Sequence, residues 1–286
     1  MLIKVYIMSG AGNIFSVIDN RKCNFPQAQL SELAIKLCRK SDYIKRNTEG
    51  LIVLNEGNDE VDFNSLFFNP DGSCDAMCGN GGRCAVHLAS KIGLINLSEG
   101  KEFIYFDMAG NVYKSKLKDD TIFLYLPLPN ELIVDYNFDI FGENIQSGYV
   151  DVGSRHIVIN FDKIKNLVDA NFQDFNLNKF GPLIRYHQCF VPHGVNVNIF
   201  QINDNNNILL RTYERGVEAE TGACGTGAIS TAIVAHKKFN LPFPIKIIPT
   251  SGIPLIIALE GESLENANSI ILEGPAEILE EIEVEF

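Results

Sequence analysis

Hydrophobic and polar residues alternate in many short runs along the chain. The runs TIFLYLPL (121–128), RHIVINF (155–161), IPLIIALE (253–260) and SIILEGPAEI (269–278) are separated by turn residues. This pattern is typical of strands in mostly antiparallel sheets. The N-terminal segment MLIKVYIMSGAGN also predicts a strand. It does not resemble a signal peptide, because it lacks a basic region and a long apolar region.

Turn residues and helical spacing complete the predicted elements. The polar cluster at 203–207 predicts the tip of a hairpin. The segment 25–40 has Pro26 near its first turn and a 3.6-residue apolar period, which predicts a helix. Strands outnumber helices, so we predict an α+β fold. The apolar face of this first helix consists of Leu30, Leu33, Ala34 and Leu37. Three further helices are predicted: one just after Cys78, one around 177–187, and one just after Cys224.

A motif repeats in the same register in the two halves of the chain. SCDAMCGNGGRCAVHLA (73–89) and TGACGTGAISTAIVA (221–235) both contain C-G-x-G followed by small and apolar residues. A chain built from two similar halves tends to bury both helices and to bring their N-termini towards the seam between the halves. The aligned pairs are Cys78 with Cys224, Gly79 with Gly225, Asn80 with Thr226, and Gly81 with Gly227.

The amino-acid composition and net charge limit the kinds of molecule that the protein is expected to bind. The 286 residues are 46% hydrophobic and 21% charged, as in ordinary globular proteins, with a formal net charge of −12. That charge disfavours nucleic acid and anionic membranes as partners, and no apolar run reaches the roughly 18–20 residues of a membrane span. Seven cysteines at scattered positions predict free thiols and a cytoplasmic location.

A cysteine at a helix N-terminus has a particular chemistry. Unpaired backbone N–H groups and the positive end of the helix dipole favour its thiolate form, and the same N–H groups bind a carboxylate well. Two such ends facing one another would place a thiolate and a thiol on opposite faces of one carbon. The motif pair therefore predicts cofactor-independent racemisation or epimerisation at an α-carbon, because one base cannot invert a centre unless the substrate turns over.

Three alternatives remain open at this level. Cys74, Cys78, Cys84 and His87 form C-x3-C-x5-C-x2-H, which could hold a metal, although structural zinc sites prefer tighter paired spacings. Cys78 and Cys224 could instead form a redox pair. The same scaffold could also act on another amino acid, such as glutamate or proline.

The residues that carry the chemistry resemble those of a known family. NPDGSCDAMCGNGGRC, TYERGVEAETGACGTGA and the N-terminal SGAGNIF are similar to segments of diaminopimelate epimerases. The resemblance implies two pseudo-symmetric halves, 1–128 (completed by 275–286) and 129–274, each a curved sheet around a central helix, with the active site in the cleft. It further implies interconversion of LL- and meso-diaminopimelate for lysine and peptidoglycan synthesis, without pyridoxal phosphate or metal, by a homodimer.

The resemblance also implies roles for individual residues. Cys78 and Cys224 would exchange the proton, His156 would support Cys78, and Glu214 would bind an ammonium group and orient the Cys224 side. Arg215 would clamp a carboxylate. The remaining residues implied to bind substrate are Asn13, Asn69, Gly79, Asn80, Asn196, Gly225 and Thr226.

Some positions depart from the family pattern and affect how the far end of the substrate would be held. Ile14 replaces the usual Asp, and Glu49–Gly50 stands where an Asp–Gln or Asp–Gly pair is usual. Ser154 replaces a substrate-binding Asn and is a candidate for the same role, while Arg155 adds a charge beside it. The segment between Glu214 and Cys224 is one residue longer than is common. These departures leave open a relaxed substrate range that includes other amino acids such as glutamate.

Overall fold

The structure, a computed structural model, describes residues 1–74, 77–95 and 101–286. Its contacts divide the chain into two compact units, Met1–Leu126 with Glu273–Phe286, and Pro127–Leu272. The bounds predicted from the sequence differ from these by two residues, at 128 against 126 and at 275 against 273.

The described residues of the first unit, up to Leu126, form seven strands and two helices. They are β1 (Leu2–Gly10), β2 (Asn13–Asp19), α1 (Gln27–Leu37), β3 (Leu51–Glu56), β4 (Phe63–Phe68), α2 (Gly79–Lys91), β5 (Ile104–Met108), β6 (Asn111–Lys118) and β7 (Thr121–Leu126).

The second part continues with β8 (Glu131–Ile140), β9 (Glu143–Asp151), β10 (Arg155–Asn160), α3 (Lys165–Val168), α4 (Leu177–Arg185), β11 (Asn196–Ile202), β12 (Ile208–Glu214), β13 (Ala219–Thr221), α5 (Gly225–Phe239), β14 (Ile245–Pro249) and β15 (Leu255–Leu259). Single 3-10 turns occupy Phe161–Lys163 and Gln188–Phe190. The boundary of the units falls within β16 (Ile270–Pro275), and β17 (Glu277–Glu285) returns to the first unit.

The two units repeat one series of strand pairings. In the first unit, β1–β2 is antiparallel, β2–β3 parallel, β3–β4 antiparallel, β4–β5 parallel and β5–β6 antiparallel. In the second, β9–β10, β10–β11, β11–β12, β12–β14 and β14–β15 follow the same alternation. The edge strands β17 and β8 pair antiparallel with β1 and β9. This pairing series confirms the predicted α+β fold with two pseudo-symmetric halves.

Each sheet surrounds one buried helix. In its own unit, α2 contacts β1, β2, β3, β4, β6, β7 and β17, and α5 contacts β8, β9, β10, β11, β12, β14 and β15. Both helices are apolar or small on nearly every side, as expected for a helix without a solvent face. In each unit, a strand passes close to the buried helix at a glycine. A Cβ at Gly10 would lie 2.6 Å from Asn80 O, and a Cβ at Gly148 would lie 2.6 Å from Val234 Cγ2, so neither position has room for a side chain.

The predicted helices are present. The apolar face of α1 is buried as predicted, and α2 and α5 begin directly after the two motif cysteines. The polar segment 203–207 connects β11 to β12, as the hairpin prediction required. Helix α3 was not predicted, because its four residues are too few to show a helical period. The helix is followed by Asp169, which has a φ of +44°.

Candidate active site

Cys78 caps the N-terminus of α2. Its backbone is extended (φ −118°, ψ 111°), and its Sγ accepts a hydrogen bond from the Gly81 N–H at 3.3 Å. A Cβ at Gly81 would lie 3.3 Å from Cys78 Cβ and 3.4 Å from its Sγ. The second glycine of the motif therefore makes room for the sulfur that lies above the first helical turn.

Cys224 occupies the same position at α5. Its backbone angles (φ −125°, ψ 113°) match those of Cys78, and its side chain is buried. A Cβ at Gly227 would lie 3.3 Å from Cys224 Sγ and only 2.4 Å from Asn198 Oδ1. The repeated C-G-x-G thus gives both cysteines the same extended backbone at a helix N-cap and a glycine beneath the sulfur, while within the described part of the chain the capping hydrogen bond to sulfur is made by Cys78 and not by Cys224.

A chain of hydrogen bonds connects Cys224 to a buried histidine. Thr226 Oγ1 lies 3.5 Å from Cys224 Sγ and 3.3 Å from Ser154 Oγ, which is 2.8 Å from His156 Nε2. The imidazole of His156 is fully buried. The resemblance implies that His156 supports Cys78; the hydrogen bonds described for His156 lead to Cys224, the cysteine of its own unit.

The surroundings of His156 keep it neutral. Burial lowers its pKa to about 3, and the positive charge of Arg215 acts in the same direction, against a hydrogen bond with Asn198. Asn198 is itself buried; its amide N–H groups reach His156 Nδ1 at 3.0 Å and the Ile157 carbonyl at 3.1 Å, and its Oδ1 accepts from Thr212. His156 can therefore orient hydroxyl groups but carries no charge near pH 7.

The sequence did not identify Asn198, although a signal was present. In VNVN the two asparagines alternate with valines, which places Asn196 and Asn198 on the same face of β11. Asn196 is also held in place: its Nδ2 donates to the Arg155 carbonyl at 3.0 Å, and its Oδ1 accepts from the Arg215 N–H at 2.8 Å. Asn196 thereby fixes the backbone from which the Arg215 side chain extends into solvent.

Glu214 ends β12 in a partly enclosed position. Burial raises its pKa to about 7, against the opposing effect of a 2.9 Å hydrogen bond from Thr221 Oγ1. In the turn between β12 and β13, Glu218 adopts a φ of +56°, and its carboxylate binds the Arg185 guanidinium at 3.0 Å. A carboxyl that titrates near neutral pH is well suited to bind a cation.

The first unit supplies the other predicted substrate residues. Asn13 is buried at the start of β2; its Nδ2 donates to Glu49 Oε2 at 2.5 Å, and its Oδ1 has no hydrogen-bond partner. Asn80 is buried in the first turn of α2. Asn69 lies in the turn after β4, where its Nδ2 donates to Ser73 Oγ at 2.9 Å. Glu49, which departs from the family pattern, therefore contacts a predicted substrate residue.

The metal alternative has no cluster to support it within the described ranges. There, no three His, Cys, Asp or Glu side chains form a group that could hold a metal ion. Helices that could cross a membrane are likewise missing from the described part of the chain, since none is both long and apolar enough.

Comparison with known proteins identifies the family. The sequence profile of diaminopimelate epimerase matches residues 5–122 and 148–277. The chain belongs to the diaminopimelate epimerase family. The diaminopimelate epimerase of Aquifex aeolicus (strain VF5) is 34% identical over 262 residues, covering 87% of this chain and 88% of the relative. That of Flavobacterium psychrophilum is also 34% identical, over 278 residues, covering 96% and 98%.

Solved structures share the fold of this diaminopimelate epimerase family member at low sequence identity. A PhzF-family phenazine biosynthesis protein of Bacillus anthracis has a TM-score of 0.74 at 11% identity over 100% of both chains. A hydroxyproline epimerase from Agrobacterium vitis, with trans-4-hydroxy-L-proline bound, has a TM-score of 0.68 at 14% identity, covering 99% of this chain and 92% of that one.

Proposed function

We propose that the chain interconverts LL- and meso-2,6-diaminopimelate, with Cys78 and Cys224 acting as a pair on one α-carbon. The observation that carries the proposal is the matched geometry of the two cysteine caps in a member of the diaminopimelate epimerase family. Each cap places sulfur above the first turn of a helix, where backbone dipoles favour a thiolate.

The proposed reaction needs only the two thiols and the substrate. One thiolate removes the α-proton and becomes a thiol, and the electron pair is delocalised into the substrate carboxylate. The second thiol then donates its proton to the opposite face of the same carbon and becomes the thiolate. In the reverse direction the roles exchange, so the enzyme needs one thiolate and one thiol at the start of each turnover.

The helix N-termini would stabilise the charge that develops on the carboxylate. Gly79 and Gly225 are the first helical residues, and the N–H groups of a first turn have no acceptor within their own helix. We expect them, with the N–H groups of Asn80 and Thr226, to bind the α-carboxylate, where fixed donors act most strongly on the transition state.

Other polar groups suit the remaining charges of the substrate. The unpartnered Oδ1 of Asn13 and the carboxyl of Glu214 can accept from ammonium groups, and the exposed Arg215 can bind a carboxylate. We further propose a reducing, cytoplasmic environment, the setting in which scattered cysteines such as these remain thiols. As in the expectation from the sequence, we propose a homodimer that needs no cofactor.

A substrate panel tests the proposed function. The purified reduced protein would be incubated with LL-diaminopimelate, meso-diaminopimelate, glutamate and proline, and epimers would be separated by chiral chromatography. We expect turnover of the two diaminopimelates alone, reduced at least about 100-fold in Cys78→Ala and in Cys224→Ala. Turnover of glutamate or proline in place of diaminopimelate would assign the scaffold to another substrate.

A further inference from the structure

Arg83 is a completely buried arginine on α2. Its Nη2 donates to Asn80 Oδ1 at 2.9 Å, and its Nε lies 3.4 Å from the Pro275 carbonyl oxygen. The third nitrogen, Nη1, is buried and has no hydrogen-bond partner. Both acceptors are uncharged, so these contacts leave the guanidinium charge without a matching anion.

Such an arrangement is costly unless an anion lies nearby, because a buried cation loses its hydration. Burial lowers the pKa of Arg83 to about 10; within the described ranges 1–74, 77–95 and 101–286, the groups that act in the opposite direction are the thiols of Cys84 and Cys78. Cys84 is buried, and burial raises its pKa, with Glu49 and Cys78 adding to the effect. Cys84 therefore stays a thiol, which leaves Cys78 to supply negative charge.

The direction of the side chain agrees with this electrostatic pairing. Helical side chains lean towards the N-terminus of their helix, and Arg83 reaches back to Asn80 in the first turn, the turn that Cys78 caps. Because a guanidinium only donates, it also fixes the Asn80 amide with its oxygen towards Arg83 and its N–H groups turned away.

We propose that Arg83 is a positioning residue whose guanidinium favours the thiolate form of Cys78 and fixes the Asn80 amide. This inference rests on the proposed function, in which Cys78 carries the proton and Asn80 helps to bind the carboxylate. The internal repeat supports it by contrast: the position equivalent to Arg83 in the second motif is Ile229, a buried apolar residue. Only the first motif has a buried charge behind its cysteine.

The test measures ionisation of Cys78 directly, without substrate. Wild type, Arg83→Gln and Arg83→Lys would be alkylated with iodoacetamide from pH 5 to 10, and modification of Cys78 and Cys224 would be followed separately by peptide mass spectrometry. We expect Arg83→Gln to slow alkylation of Cys78 about 10-fold at pH 7, the effect of a pKa raised by about one unit, and to leave Cys224 unchanged. Arg83→Lys should restore part of the rate.

A control separates this role from a general loss of structure. Arg211 is a largely buried arginine that forms a 2.6 Å ion pair with Glu220 in the second unit. Arg211→Gln should lower the free energy of unfolding without changing the Cys78 profile. An unchanged Cys78 profile in folded Arg83→Gln would overturn the proposal even if the wild type epimerises diaminopimelate, so the two proposals fail separately.

A second measurement applies if Arg83→Gln does not fold. Thermal stability would be compared between wild type and Cys78→Ser, and between wild type and Cys224→Ser, from pH 6 to 9. A thiol pKa lowered by folding stabilises the protein above the unfolded pKa, and that stability is lost as the pH falls through the folded pKa. We expect the advantage of wild type over Cys78→Ser to grow from pH 6 to pH 9, whatever the comparison with Cys224→Ser shows. An advantage over Cys78→Ser that stays constant or shrinks as the pH rises would overturn the proposal.

Discussion

The Nδ2 atom of Asn198 lies 3.0 Å from Nδ1 of His156, and this contact fixes the tautomer of the imidazole. An amide nitrogen only donates, so Nδ1 accepts and the proton resides on Nε2, which faces Ser154 Oγ at 2.8 Å. Ser154 Oγ then donates a hydrogen bond to Thr226 Oγ1. The hydroxyl of Thr226 therefore donates its own proton towards Cys224 Sγ. The whole chain donates towards sulfur, which favours the thiolate of Cys224.

Removing the Ser154 hydroxyl should weaken this support. We expect Ser154→Ala to lower kcat about fivefold, the effect of one hydrogen bond worth about 1 kcal/mol, with a smaller effect on KM. Thr226→Val should have a similar effect. Because both variants interrupt one chain, the double variant should be little slower than either single one. Additive losses measured in steady-state kinetics would show that the two hydroxyls act independently.

The imidazole of His156 should not titrate near neutral pH. Its pKa of about 3 predicts that the NMR signals of its ring protons keep their chemical shifts between pH 5 and 8. Folding favours the neutral ring, so its contribution to stability is present above the unfolded pKa of about 6.5 and is lost as the pH falls towards 3. A ring-proton titration with a midpoint near 6.5 would contradict the buried, neutral assignment.

Glu214 should make stability depend on pH in the opposite sense to an ordinary ion pair. Because burial raises its pKa from 4.5 to about 7, folding favours the protonated carboxyl, and this stability is lost as the pH rises from 4.5 through 7. Glu214→Gln should match wild type at pH 4 and be more stable by about 3 kcal/mol at pH 8, the effect of a pKa shift from 4.5 to about 7. Urea unfolding at the two pH values measures the difference; a Gln variant less stable at pH 8 would indicate an ionised, paired carboxylate.

The motif glycines should differ sharply in their tolerance of alanine. At Gly227 a Cβ would lie 2.4 Å from Asn198 Oδ1, so Gly227→Ala should destabilise the protein by roughly 1–3 kcal/mol and disturb the contacts of His156. At Gly82 the nearest atom would be Leu124 Cδ2 at 3.4 Å, an ordinary contact. Gly82→Ala serves as the control and should be neutral or stabilising in urea unfolding, since alanine favours helix.

The sequence predicted the elements of this fold because its strongest patterns are local. The C-G-x-G repeat gave the starts of α2 and α5, and the apolar period of 25–40 gave α1. The pairing order of the strands was not predictable in the same way. Parallel neighbours such as β2 with β3 and β10 with β11 depend on contacts between distant segments, which no local period records.

The candidate active site shows the same difference between features that a local motif predicts and features that depend on contacts between distant segments. Cysteines at the helix starts follow from the motif, whereas the partners of its polar groups depend on packing. The resemblance made Ser154 a candidate for substrate binding, and the structure shows in addition that its hydroxyl connects His156 to Thr226. Arg83 was visible as the lone charge in an apolar register, but only the structure shows that it is buried with Nη1 unpartnered.

The two-thiol mechanism is tested most directly by where deuterium enters during the first turnovers in D2O. LL-diaminopimelate would be converted to a few per cent, and both epimers analysed by mass spectrometry and NMR. Two opposed thiols predict meso-diaminopimelate with one deuterium at the inverted carbon, while the remaining LL-diaminopimelate carries none. The same pattern should appear from the meso epimer. Deuterium in the unconverted substrate, or α-hydrogen retained in the product, would contradict proton transfer by Cys78 and Cys224 from opposite faces.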